Sequence, residues 1–311
     1  MDLNITFIIF NRPDTTKIVF EEIRRARPKR LFVIADGPRP ERKGEAERCE
    51  EARRIIEEGV DWDCEVYKNF SQANQGCRNR PPSGLDWVFQ HVEHSIILED
   101  DCVPDPTFFP FCQELLARYL NDDRIMMISG DNFLFGKNRT PHSYYFSGIP
   151  HIWGWATWKR AWDKYDRDIQ LWPSLREGSW MNDLFDSQEQ VKVWTKSFED
   201  IINGFDTWDY QWALACLVNR GLCIMPSVNL ISNIGFGPTA THTLKVEIGS
   251  KLPTEKMLFP LRHPEFMIRD KESDLRTFAL FHGMSKTKRA KQAVKKILKI
   301  IFFSRNRGSS R

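Results

Sequence analysis

None of the seven cysteines lies in a C-x-x-C pair, and their number is odd. They are scattered along the chain as Cys49, Cys64, Cys77, Cys102, Cys112, Cys216 and Cys223. A disulfide framework needs paired cysteines and an oxidising compartment. We therefore expect free thiols and a reducing compartment.

The sequence also lacks a long apolar run near its start. The first ten residues, MDLNITFIIF, have no basic region, and their apolar run is too short for a signal peptide or a membrane span. The run fits a first β-strand, and we expect a cytoplasmic protein.

The body of the chain lacks a net basic charge. The whole chain carries a formal +3, but residues 285–311 hold six Lys, four Arg and no acid, which leaves −7 for residues 1–284. A nucleic-acid binder should carry a basic face on its folded domain. We therefore expect no nucleic-acid partner, and we divide the chain into a domain over residues 1–270 and a basic tail over residues 271–311.

The tail has the pattern of a basic amphipathic helix over residues 286–303. Lysines surround a single apolar stripe, which consists of Ala290, Val294, Ile297, Leu298 and Ile301. Such a helix can lie on an anionic membrane surface, at the inner face of the membrane. A helix packed on the acidic body, or a disordered tail, fits the same pattern.

Short apolar runs alternate with amphipathic stretches through the first 130 residues. This alternation is typical of an α/β fold with a doubly wound, mostly parallel sheet flanked by helices. The second half is less regular and rich in aromatic residues. In such sheets ligands bind at the carboxyl ends of the strands. Polar residues follow the expected strands at these ends, namely Asn11, Arg12, Asp36, Glu99, Asp100, Asp101 and Asp131.

Three consecutive carboxylates, Glu99, Asp100 and Asp101, follow the apolar run IIL directly. Such groups repel one another and are costly to desolvate unless a cation or hydrogen-bond donors compensate them. A divalent ion such as Mn²⁺ or Mg²⁺ would do so, and sites of this kind use only one or two protein carboxylates together with phosphate oxygens. A solvated loop that caps the helix beginning near Pro106 is the alternative.

The segment 96–112, IILEDDCVPDPTFFPFC, resembles the nucleotide-sugar site of GT-A glycosyltransferases, and most of all the N-acetylglucosaminyltransferase I family. Weaker similarities keep the family's order over about 235 residues. They are the first strand with Arg12, the second strand with Asp36, Gln75-Gly76, Gly154-Trp155, Trp208-Asp209, and a loop over residues 234–242 that ends at His242.

The resemblance implies an inverting, metal-dependent transfer of a sugar from a UDP-GlcNAc-like donor to a hydroxyl of a glycan or lipid-linked glycan. It implies that Asp101 binds the metal, and His242 is a second candidate ligand. Glu99 and Asp100 would bind ribose or metal-bound water, and Arg12 and Asp36 would hold the diphosphate and the base. For Arg12 and Asp36, ordinary turn chemistry is the alternative.

Two carboxylates are candidates for the general base that takes the acceptor proton. Asp206 fits an N-cap, and Asp209 fits the first helical turn, where the positive end of the helix dipole keeps it ionised. The W-D resemblance favours Asp209. The family's W-D-D is Trp208-Asp209-Tyr210 here, so its second acid is missing.

Four tryptophans cluster between His151 and Tyr165. Trp153, Trp158 and Trp162 have helical spacing and fit a core, whereas Trp155, beside Gly154, is expected near the donor sugar or the acceptor.

Two other functions fit parts of the sequence. A sugar nucleotidyltransferase would share the sheet and the metal carboxylates, but Asn11-Arg12-Pro13 lacks the glycines of a phosphate loop. A non-catalytic carbohydrate-binding protein would explain the tryptophans but not the acids at the strand ends.

Overall fold

The computed structural model describes residues 1–236 and 251–282. In the first half, strands and helices alternate as the sequence pattern predicts. The elements are β1 (Asn4–Ile9), α1 (Pro13–Ala26), β2 (Arg30–Ala35), α2 (Glu45–Gly59), β3 (Glu65–Phe70), α3 (Arg80–Val88), β4 (His94–Glu99), β5 (Cys102–Pro104), α4 (Phe108–Arg118) and β6 (Ile125–Ser129).

The central strands are apolar along their length because helices cover both faces of the sheet. On β2, Leu31 and Val33 belong to the core that α1 and α2 share. Phe32 and Ile34 point to the opposite face and belong to the core that includes Leu85 of α3.

The second half contains short helices and four more strands. Its elements are β7 (Tyr144–Ser147), β8 (Trp155–Trp158), α5 (Lys159–Trp162), α6 (Trp172–Glu177), α7 (Met181–Leu184), α8 (Gln188–Ile202), α9 (Asp209–Val218), β9 (Leu222–Pro226), β10 (Ile231–Asn233) and α10 (Lys271–His282).

Eight strands form one sheet in the order β3-β2-β1-β4-β8-β6-β9-β7. The pairs β3–β2, β2–β1, β1–β4 and β6–β9 are parallel, and β8 and β7 run antiparallel to their neighbours. The predicted α/β class with a mostly parallel sheet is therefore confirmed. The carboxyl ends of β1, β2, β4 and β6 lie along one edge of the sheet, which we call the strand-end edge. Because β8 is antiparallel, its first residue lies at the same edge.

The segment 155–158, WATW, is a strand, although the tryptophan spacing suggested a helix. All four residues are buried, because β8 lies between β4 and β6 in the middle of the sheet. A strand buried on both faces shows no alternation of polar and apolar residues, so the pattern did not identify it.

The helix α10 packs against the end of β7. The Asp274 carboxylate accepts hydrogen bonds from the Ser147 hydroxyl at 2.6 Å and the Gly148 amide at 3.0 Å. Residues 286–303, where we expect the amphipathic helix, lie outside the described residues. Within residues 1–236 and 251–282, no helix has the length and apolar character needed to cross a membrane.

Candidate functional site

The acids that follow β4 lie beside the arginine that follows β1, because the two strands are parallel neighbours. One terminal nitrogen of Arg12 donates to Asp101 Oδ2 at 2.7 Å, and the other donates to Asp100 Oδ1. The amide of Phe10 donates to Asp100 Oδ2 at 3.2 Å. Arg12 is therefore a fork that holds two carboxylates in place.

Glu99, Asp100 and Asp101 are three consecutive acids, which we call the acidic row. One arginine does not neutralise them. Burial, and after it the charges of Asp101 and Asp100, raises the pKa of Glu99 to about 8. Burial also raises the pKa of Asp100 to about 6, although the charge of Arg12 opposes the change. Proximity of like charges and low solvation both disfavour the ionised forms. The row can therefore accept further positive charge.

Asp101 is also in contact with the loop that follows β10. Its Oδ1 accepts from the Cys102 thiol at 3.4 Å, and its carbonyl accepts from the Ile234 amide at 2.9 Å. A Cβ atom on Gly235 would lie 1.9 Å from Asp101 Oδ2, so only glycine fits there without a displacement. Gly235 begins the glycine-containing part of the loop over residues 234–242, but no sequence pattern indicated its contact with Asp101.

Asp36, at the end of β2, holds a turn. Its carboxylate accepts from the amides of Gly37 at 2.8 Å, Gln75 at 2.9 Å and Gly76 at 3.1 Å, and from the Asn74 side chain at 3.0 Å. Burial raises its pKa, and these amide hydrogen bonds oppose the increase. The geometry favours the turn interpretation of this residue.

Asp206 binds the next two residues of the same turn, Cys77 and Arg78. Its carboxylate accepts from the Arg78 amide at 2.7 Å and the Cys77 amide at 3.2 Å, across 128 and 129 residues of chain. We expected it to cap α9, but the N-cap of α9 is Trp208, without a side-chain hydrogen bond. Asp206 instead joins α9 to the turn that leads into α3.

Asp209 is the first residue of α9, as predicted, and is half-buried. The Thr207 hydroxyl donates to its Oδ1. Its charge is one of the causes, after burial and the neighbouring acids, that raise the pKa of Glu99. Asp209 therefore lies on the acidic side of the site, at the positive end of a helix.

Trp155 is a core residue. It is 0% exposed, and its ring stacks on Trp208 with the centroids 5.8 Å apart. The described geometry leaves it no face for a sugar. Trp153, which we assigned to the core, is half-buried, and its ring contacts Phe133 and Phe236, with both pairs of centroids 5.5 Å apart.

His242 lies outside the described residues. Within residues 1–236 and 251–282, no three His, Cys, Asp or Glu side chains converge in a way that would hold a metal ion by themselves. A site that used Asp101 with phosphate oxygens would not need such a group.

No protein-family model and no curated protein sequence matches this chain. Three solved structures are similar to part of this chain. TarS from S. aureus is 8% identical over 72% of this chain and 58% of that chain, with a TM-score of 0.40. GalNAc-T7 with UDP, GalNAc and Mn²⁺ is 9% identical over 73% and 43%, with a TM-score of 0.42. Mouse xyloside xylosyltransferase 1, apo form, is 10% identical over 70% and 81%, with a TM-score of 0.33.

This chain thus spans about half the length of the TarS and GalNAc-T7 chains. Similarity at this level concerns architecture only. A functional assignment has to rest on the residues of the site.

Proposed function

We propose that this protein is a glycosyltransferase that moves a sugar from a nucleotide-diphosphate donor to a hydroxyl of a glycan acceptor with inversion. One observation carries the proposal. The acidic row Glu99–Asp101, the Arg12 fork and the first-turn carboxylate Asp209 all lie at the strand-end edge. The resemblance to the N-acetylglucosaminyltransferase I family supports it and favours a UDP-GlcNAc-like donor.

Asp209 is proposed as the general base. In a single displacement, the acceptor oxygen bonds to the anomeric carbon while the bond from that carbon to the diphosphate oxygen breaks. The proton of the acceptor hydroxyl goes to Asp209. Attack from the side opposite the leaving group inverts the configuration. Thr207 orients the carboxylate through the hydrogen bond to Oδ1.

A divalent cation fits the donor set of the acidic row. Its carboxylate oxygens are hard ligands, and burial leaves the row short of positive charge. Asp101 would hold the ion, with His242 as a second candidate. Bound there, Mn²⁺ or Mg²⁺ would stabilise the negative charge of the departing diphosphate.

Arg12 and Asp36 are proposed to act on the donor indirectly. Both terminal nitrogens of Arg12 hold Asp100 and Asp101, and the Asp36 carboxylate holds the turn over residues 74–76. They would fix the positions of the groups that meet the diphosphate and the nucleoside. A lipid-linked acceptor and attachment to the inner face of the membrane remain predictions from the tail sequence.

Thermal unfolding of the full chain with UDP, with and without Mn²⁺, tests the proposal. UDP and Mn²⁺ are the probes because the GalNAc-T7 structure contains both. We expect stabilisation that requires the metal and hydrolysis of at least one sugar in a panel of nucleotide sugars. Asp101→Asn should abolish metal-dependent nucleotide binding and keep the fold.

Other outcomes identify the alternatives. Release of pyrophosphate from a nucleoside triphosphate and a sugar phosphate would identify a nucleotidyltransferase. Binding of sugars without any nucleotide would identify a carbohydrate-binding protein. Full activity of Asp101→Asn would contradict the metal assignment.

A further inference from the structure

Asp131 is a buried carboxyl group at the end of β6 with little compensation. It is 1% exposed. Its Oδ2 accepts one hydrogen bond, from the Trp153 amide at 3.1 Å. Its Oδ1 is buried and has no hydrogen-bond partner among the described residues. A buried polar atom without a partner is costly, and such atoms are rare in native proteins.

A second such atom belongs to the segment that contains Trp153, just before β8. His151 Nδ1 is buried and, within residues 1–236 and 251–282, also has no partner. The Ser129 hydroxyl donates to the His151 carbonyl at 2.8 Å and accepts from the Asp131 amide at 3.1 Å. Ser129 thereby ties the two residues together at the end of β6. One acceptor oxygen and one imidazole nitrogen thus lie close together, and neither has a partner in the described part of the chain.

An aromatic wall joins this place to the acidic row. The half-buried ring of Trp153 contacts the rings of Phe133 and Phe236 edge to face. Phe236 follows Gly235, which packs against Asp101. The wall therefore extends from the carboxylates at the end of β4 to Asp131 at the end of β6.

The order of these groups along the strand-end edge suggests which part of a ligand they would meet. Asp36 lies at β2, Arg12 at β1, the acidic row at β4, and Asp131 at β6, with β8 between the last two. Strands lie roughly 4.8 Å apart, so β6 is about 10 Å from β4. A donor with its nucleoside towards β2 and its diphosphate at β4 would place its sugar in the direction of β6.

We propose that Asp131, His151 and Trp153 form the subsite for the sugar ring of the donor, an inference that rests on the proposed function. An aromatic face beside a few convergent polar groups is suited to a pyranose, whose C–H face is apolar and whose hydroxyls donate and accept. The ring lies against Trp153, and its hydroxyls, or an amide N–H, pair with Asp131 and His151.

Isothermal titration of the full chain with Mn²⁺ tests the subsite, because it can compare UDP with UDP-N-acetylglucosamine. GDP and GDP-mannose serve as a second pair of probes. We expect Asp131→Ala and Trp153→Ala each to reduce the preference for the nucleotide sugar over the nucleotide about tenfold, with the affinity for the nucleotide itself unchanged. Asp131→Asn, which still accepts from the Trp153 amide, protects the test against misfolding and should show a smaller loss.

A matched control is Asp274→Asn, which alters a carboxyl that is also buried but has partners at Ser147, Gly148 and Arg269. It should change thermal stability and leave the preference intact. If wild type binds nucleotides and the Asp131 variants keep the full preference, the subsite is refuted and the proposed function stands. Variants that alter only stability would show that an internal water fills the place. Wild type that binds none of the nucleotides would refute the proposed function as well.

Discussion

The two halves of the strand-end edge differ in how many hydrogen-bond partners the protein provides for their carboxylates. On the side of β1, β2 and β4, the protein provides partners for Asp36, Asp100 and Asp101, since Asp36 accepts from three amides and one side chain and Arg12 holds the other two. On the side of β6, Asp131 has one hydrogen-bond partner for its two oxygens among residues 1–236 and 251–282. The protein thus holds Asp36, Asp100 and Asp101 in place before any ligand arrives. Asp131 keeps one oxygen that pairs with none of the described residues.

This difference separates two kinds of substitution. Where the protein satisfies a carboxylate, removal leaves buried donors without a partner and should reduce stability. Where a carboxylate lacks partners, removal should cost little stability and should affect ligand binding instead. Asp209 belongs to neither kind. Its proposed role is proton transfer, so its removal should affect kcat.

The largest effect is expected at Asp209. Asp209→Asn removes the proposed base and should lower kcat by a factor of roughly 10²–10⁴ with donor affinity nearly unchanged. Steady-state kinetics with saturating donor measure the change in kcat, and titration with UDP measures affinity.

Asp206→Asn is the matched comparison for this experiment. Its one carbonyl oxygen can still accept from the Arg78 amide, although the Cys77 amide loses its acceptor. The turn should therefore persist, and activity should fall far less. A larger loss of kcat in Asp206→Asn than in Asp209→Asn would contradict the assignment and move the base to Asp206.

The sequence predicted the first side of the edge better than the second. Apolar runs followed by polar residues located β1, β2 and β4 with their polar ends, because a strand that helices cover on both faces is a continuous apolar run. The contacts of Asp206 with residues 77 and 78 cross about 130 residues of chain, and no local pattern encodes them. Similarly, Trp153 and Trp155 differ in exposure only because β8 enters the middle of the sheet, which is a property of the topology.

A smaller effect is expected where the two sides meet. Gly235→Ala should reduce metal-dependent binding of UDP about tenfold or more, because the new Cβ would displace the Asp101 carboxylate. Gly136→Ala is a suitable control. Gly136 has a positive φ, but a Cβ there meets no atom of the described residues within 4 Å, so that variant should lose stability only. Equal UDP affinity in wild type and Gly235→Ala would show that the loop yields and that Asp101 keeps its place.

Asp36→Ala should affect stability more than binding. It leaves the amides of Gln75 and Gly76 without their acceptor, and we expect a loss of about 2–4 kcal/mol in the free energy of unfolding, measured with urea. Asp168→Ala, which removes an exposed acid paired with Arg167 and Arg78, should cost about 1 kcal/mol or less. If Asp36→Asn instead keeps stability and loses nucleotide affinity, Asp36 contacts the base directly.

The smallest effect concerns pH and His151, on the side of β6. Burial lowers the pKa of His151 to about 4 from an ordinary value of 6.5. Protonation therefore favours the unfolded chain. The contribution of the neutral imidazole to the free energy of unfolding is complete above pH 6.5. It decreases as the pH falls and is lost near pH 4, with an upper bound of roughly 3 kcal/mol.

Asp131 opposes this trend. Burial raises its pKa, so its protonation at low pH favours the folded state over the unfolded chain. The comparison between wild type and His151→Gln isolates the histidine, since the carboxyl group is common to both. Urea unfolding at pH 7, 5.5 and 4.5 should show wild type losing more stability than the variant on acidification. Parallel pH profiles would mean that the imidazole is solvated in the folded protein, and His151 would then not be a desolvated partner for a sugar.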